Sequence, residues 1–184
     1  MSSKMAVVFV MGLAMLGGKS LASENHPYAG EEAREIKSLS KAEVDGLLSG
    51  KGLGYGKAAE LNRYPGPAHV LELSDKLSLS ADQRSETEII FSQMEASAKE
   101  LGADLVTAER ALDEAFRSKK IDELSLSELV EDIGNIESRL RAVHLNAHLQ
   151  QTKVLNDEQI SGYMELRGYN SAGHGSQHRR HHGK

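Results

Sequence analysis

The 184-residue chain has no cysteine, no tryptophan, only 4% aromatic residues and three prolines. Without cysteine no disulfide supports the fold and no thiol nucleophile is present. With so few aromatics the core must be built from Leu, Ile, Val, Ala and Met. The prolines are Pro27, Pro65 and Pro67, so Ala68 to Lys184 is free of that helix breaker, and an all-α protein is expected. A Gly-x-Ser-x-Gly elbow is also missing, and the serines fall mostly at helix caps or exposed positions. Gly17-Gly18-Lys19-Ser20 has Leu13 where a phosphate loop needs its first glycine, and the glycines at 50, 52, 54 and 56 do not follow a strand. The chain therefore reads as a non-enzyme.

The first 22 residues read as a targeting segment. Lys4 supplies a positive start, Met5 to Leu16 is an apolar run, and Ser20-Leu21-Ala22 offers small residues for a signal peptidase. The run falls short of the ~20 apolar residues of a transmembrane span. A cleaved signal and export to the periplasm are expected, with membrane contact only during export; an uncleaved anchor is the alternative. Removal of Lys4 and Lys19 takes the formal charge from −5 to −7. Residues 171–184 carry Arg179, Arg180 and Lys184 and no acid, so setting them aside leaves a body near −10, which argues against nucleic acid as a partner.

A five-residue pattern occurs twice. Leu79-Ser80-Ala81-Asp82-Gln83 and Leu155-Asn156-Asp157-Glu158-Gln159 both read L-[S/N]-x-[D/E]-Q. Ser80 or Asn156 as N-cap accepts a bond from a free amide of the first turn, and Gln83 or Gln159 at N3 reaches back to the amide of the cap. Ser40 with Glu43 repeats the signature, and Ser125 with Glu128 is a further candidate.

Helical periodicity fills the space between the two copies. From Ala81 to about Arg117, Ile90, Met94, Leu101, Leu105, Ala108, Leu112 and Phe116 recur at threes and fours. From Ser127 to about Lys153 the stripe is Leu129, Ile133, Ile136, Leu140, Val143 and Ala147. The short connector, 118–124, predicts an antiparallel hairpin. Pro67 is placed to start a short helix over 68–76, and Asp157 to Leu166 a closing one. Three parts follow the signal: an N-terminal arm over 23–66 with short helices and a Gly-rich loop, a helical domain over 67–168, and a disordered His-rich tail over 169–184. Leu47, Leu48, Leu53 and Tyr55 are too many apolar groups for a plain linker, so the arm is expected to dock. Leu145 and Leu149 lie off the main stripe, and a second apolar face predicts either a homodimer or cover by the N-terminal helices.

Histidine carries the strongest chemical signal. His144 and His148 are i,i+4 on one helix, so both imidazoles can converge on one ion; a third ligand would come from His69, Glu137, Met94 or a partner subunit. The tail holds His174, His178, His181 and His182 among glycines, a composition that binds Zn, Ni or Cu without a fold, or is simply a basic tail. No cofactor is obligatory on this reading.

The two L-[S/N]-x-[D/E]-Q segments resemble the paired LTxxQ motifs of the Spy/CpxP family of periplasmic proteins, with Ser and Asn in place of Thr. Arg141 to Leu149 is similar to the metal-responsive branch that includes ZraP and CnrX, proteins of heavy-metal resistance and sensing. The resemblance covers roughly 67–168. It implies a long antiparallel helical hairpin with short flanking helices, paired as a cradle-like dimer. It further implies a stress-response protein that binds zinc or a similar metal, or unfolded envelope proteins as a chaperone. The alternative is a regulatory partner that restrains a membrane sensor kinase or anti-sigma system. The acidic body departs from the basic surfaces of the chaperone relatives, and the His-rich tail points toward the metal-responsive branch.

Overall fold

The computed structural model describes residues 27–169. The expected signal segment and the tail histidines His174, His178, His181 and His182 lie outside the described residues. Among the described residues, 27–32 and those from Ala33 onward belong to two separate units. In the first, residues 27–32 form a turn in which the Gly30 amide donates to Glu32 Oε2 (2.7 Å). The hairpin and the candidate site belong to the second.

The described residues are all helix and turn, with no strand. Six α-helices follow one another: α1 (Lys41–Leu48), α2 (Lys57–Glu60), α3 (Pro67–Glu72), α4 (Ala81–Arg117), α5 (Glu123–Val154) and α6 (Asp157–Leu166). The long helices α4 and α5 pack along each other as a hairpin, as the short connector predicts. Pro67 is the first residue of α3. That helix ends earlier than expected, because the chain passes into turns closed by the Leu77 and Leu79 amides on the Leu73 and Ser74 carbonyls. Helix α5 starts four residues ahead of Ser127. Its cap is Asp122, whose Oδ1 accepts from the Ser125 amide (2.8 Å) while Ser125 Oγ accepts from the Asp122 amide (3.0 Å). The Ser125 hydroxyl bond holds the Asp122 carboxyl below its ordinary pKa. Ser125 is therefore the reaching-back residue of the box, and the carboxylate outcompetes it as cap.

The hairpin closes on two apolar clusters. In the first, Leu101, Leu105 and Val106 of α4 meet Ile133, Ile136 and Leu140 of α5, with Ile36 and Leu47 from the arm. The arm does dock. Gly102 permits the closest approach, since a Cβ there would stand 2.3 Å from the Leu47 carbonyl oxygen. The second cluster gathers Val70, Leu77, Leu155, Tyr163 and Met164, with Leu79 packed against it. The leucines in front of both caps thus share one core. Phe116, expected on the buried stripe, is 55% exposed, in the last turn of α4 at the closed end of the hairpin.

The two copies of the repeated pattern are joined. Each forms the expected capping box: Ser80 Oγ accepts from the Gln83 amide and Asn156 Oδ1 from the Gln159 amide. The glutamine oxygens accept from the cap amides, Ser80 to Gln83 Oε1 and Asn156 to Gln159 Oε1. The glutamine nitrogens then cross over. Gln83 Nε2 donates to Gln159 Oε1 (2.8 Å), and Gln159 Nε2 donates to Gln83 Oε1 (2.9 Å). Each nitrogen has one further acceptor, the Val154 carbonyl at the end of α5 for Gln83 and the Leu77 carbonyl for Gln159. Gln83→Ala or Gln159→Ala each orphans groups in the other box and should cost about 1–3 kcal/mol. Because the bonds are shared, the double variant should cost clearly less than the sum of the single ones. Urea denaturation measures both; simple additivity would show that the two boxes act independently.

Candidate functional site

Between the two apolar clusters the hairpin carries polar side chains. Thr87 of α4 and Gln151 of α5 are fully buried and bonded to each other, Gln151 Nε2 donating to Thr87 Oγ1 (3.1 Å). Thr87 Oγ1 in turn donates to the Gln83 carbonyl (2.7 Å), which ties this pair to the glutamine crossing. One to two turns earlier on α5 stand His148 and His144, so the i,i+4 spacing read from the sequence does place both on one side of the helix. His144 is only 3% exposed, and its Nε2 is buried with no hydrogen-bond partner. Its ring lies parallel to that of Tyr55 from the arm, centroids 5.9 Å apart.

His148 is oriented by backbone. Its Nδ1 lies 2.7 Å from the Tyr64 carbonyl oxygen, an acceptor only, so Nδ1 carries the proton and Nε2 keeps a bare lone pair. Gly56 and Gly66 flank that imidazole edge. A Cβ on Gly56 would stand 2.5 Å from Nε2, and one on Gly66 would stand 2.9 Å from Cε1. Glycine at both positions therefore lets the arm backbone pass close against that edge of the ring, where any side chain would collide with it. Imidazole ligands use this arrangement, one nitrogen donating to a carbonyl and the other presented to an ion about 2.0–2.1 Å away.

Behind His148 lies a second polar group. Glu60 of α2 accepts at Oε1 from the Tyr163 hydroxyl (2.6 Å) and sits 3.4 Å from Arg167 Nε, while Oε2 is 3.8 Å from His148 Nδ1. Burial, and then the bond to Glu60, pushes the Tyr163 hydroxyl pKa up, so it stays a donor. The carboxylate thus joins α2, α5 and α6 behind the imidazole.

A cleft of about 390 Å³ opens on the two histidines. Its walls include His69, Met94, Glu95, His144 and His148, with glycines 50, 52 and 66 on the arm side. Two of the proposed third ligands, His69 and Met94, therefore share the cleft with the histidine pair. His69 Nδ1 is engaged by Glu72 Oε2 (2.8 Å). Glu137 is not in the cleft; its charge acts on the Tyr55 hydroxyl. Among the described residues no three His, Asp or Glu side chains converge to hold a metal ion. His144 and His148 thus share one cleft with His69 and Met94.

Glu60, Tyr55, the Tyr64 carbonyl and the Gly56–Gly66 walls were not assigned to the site by sequence reasoning. The alternating glycines and the Pro65-Gly66-Pro67 turn were the available signal, but their role depends on which imidazole they face. Comparison with protein-family models, with curated proteins and with solved structures finds no match.

Burial, and next the charge of His148, holds the His144 pKa below its ordinary value. The sign follows. The unfolded chain takes up this proton near pH 6.5 and the folded chain resists it, so stability is full above about pH 6.5 and declines as pH falls below it. The groups facing His144 are His148 on its own helix and, from the arm, Tyr55, over whose ring Arg141 lies. In chelator-treated protein, denaturation midpoints should drop between neutral pH and about pH 5, and His144→Leu should flatten that drop. An unchanged slope in the variant would assign the acid sensitivity to other groups.

Proposed function

We propose that the chain is a non-enzymatic periplasmic stress-response protein of the Spy/CpxP type that binds a borderline divalent metal, zinc or a similar ion, at the His144–His148 cleft. The observation that carries this reading is the pair of imidazoles on one cleft, His144 with Nε2 buried and without a partner and His148 with Nδ1 held by the Tyr64 carbonyl. A buried polar atom left unpaired costs about 1–3 kcal/mol. A metal ion offsets that cost, and a Lewis acid held by neutral imidazoles is lost as they protonate. The resemblance of both capping boxes to the Spy/CpxP family, and of Arg141 to Leu149 to its metal-responsive branch, supports the same reading. Zinc titration by calorimetry tests it: the intact protein should bind at micromolar levels or tighter, and His144→Ala or His148→Ala should each weaken binding at least ~10-fold. Binding no tighter than millimolar, or unaltered binding in both variants, would refute it.

The same reading takes the protein as a cradle-like homodimer able to hold unfolded envelope chains. Its support is apolar surface left open on the hairpin: Leu149 at 48% exposure on one face, and Phe116, Leu124 and Val130 at the closed end. Sedimentation should give a dimer that Leu149→Glu turns into monomer, and the native protein should slow aggregation of a denatured client. A monomeric native chain with no effect on the client would dismiss this half and leave the metal site standing.

A further inference from the structure

Resting on the metal reading, we propose that the cleft binds monovalent copper in preference to zinc, with the Met94 thioether as the ligand that joins the His144–His148 pair. The donors on the cleft wall select the ion. Among the described residues no third His, Asp or Glu converges with the pair. Glu95 Oε2 is taken by Lys99 Nζ (3.1 Å), and His69 Nδ1 by Glu72 Oε2 (2.8 Å). The Ser49 hydroxyl turns back on its own helix and donates to the Asp45 carbonyl (2.6 Å). Phe91, Pro67 and Ala68 bring no donor to the wall, and Lys51 brings a cation. What remains beside the two imidazoles is the sulfur of Met94.

Met94 stands opposite the pair. Phe91, Met94 and Glu95 share one side of α4 and line the cleft with His144 and His148. Met94 also borders the groove lined by Ile90, Val143 and Ala147, so it faces the α5 segment 143–148 from between the two helices. Leucine would serve equally well there as an apolar filler; a polarizable sulfur is what methionine adds. Among the described residues the other methionine is Met164, buried in the second apolar cluster. A closed zinc site takes four ligands from Cys, His, Asp and Glu, which this wall does not bring together. Copper in its monovalent state accepts fewer ligands and favours soft thioether and imidazole donors. Its lower charge also suits a wall rich in apolar groups, since the cost of drying an ion rises with the square of its charge.

The test uses the full chain freed of metal by chelator. The probes are Cu(I) delivered from a coloured competing ligand, Ag⁺ as a second soft monovalent ion, and Zn²⁺. The native protein should bind Cu(I) at least ~100-fold more tightly than Zn²⁺. Met94→Leu keeps the side-chain volume; it should weaken Cu(I) and Ag⁺ at least ~10-fold and leave Zn²⁺ within about twofold. His144→Ala should weaken all three. X-ray absorption at one copper per chain should show a sulfur neighbour in the native protein and none in Met94→Leu; the chain has no cysteine to supply another. Zinc bound as tightly as copper, native Cu(I) affinity in Met94→Leu, or a copper shell without sulfur would overturn the thioether site and leave the histidine pair as a zinc site. Native affinity for every probe in His144→Ala would overturn the metal reading itself.

Discussion

Two glutamine side chains hold the ends of this fold together. Gln83 and Gln159 each close the capping box of their own helix with the amide oxygen and bond the other box with the amide nitrogen. The start of α4, the end of α5 and the start of α6 therefore meet at one polar node. Thr87, one turn into α4, extends it to the buried Gln151 on α5. Hydrogen bonds of this kind contribute modestly to stability when made and cost more when one partner is lost, so their effect is chiefly on register. With α4 and α5 indexed against each other at this end, His144 and His148 stand at a set depth between the two apolar clusters.

That depth explains the chemistry of the cleft. A helix with a continuous apolar stripe would be more stable, yet this hairpin buries His144 with Nε2 unpaired and Gln151 with Oε1 unpaired. Close by, Glu60 Oε2 and Arg167 Nε are buried without hydrogen bonds and are held by charge contacts alone, to His148 Nδ1 and Glu60 Oε1. Local rules broken together in one place are expected at functional or strained sites. The arm completes the arrangement. Its glycines bring the backbone close against the His148 ring, its Tyr64 carbonyl sets the tautomer of His148, and its Tyr55 ring stacks on His144. The arm is a wall of the cleft rather than a leader to the hairpin.

What the sequence by itself determined follows from local physics. The all-helical character, the hairpin, the caps at Ser40, Ser80 and Asn156 and the role of Pro67 all depend on contacts within a few residues, where periodicity and capping chemistry decide. The pairing of His144 with His148 was likewise a matter of helical spacing. Only the tertiary structure decided the rest. Ser125 lost its place as cap to Asp122 through a neighbouring carboxylate, and α3 stopped early to bring Leu77 and Leu79 into one core. The crossing of Gln83 with Gln159 and the meeting of Glu60 with His148 join residues more than seventy positions apart. No local pattern encodes such pairs, because each group offers the same donors and acceptors to any partner; packing of the two apolar clusters selects which one it meets.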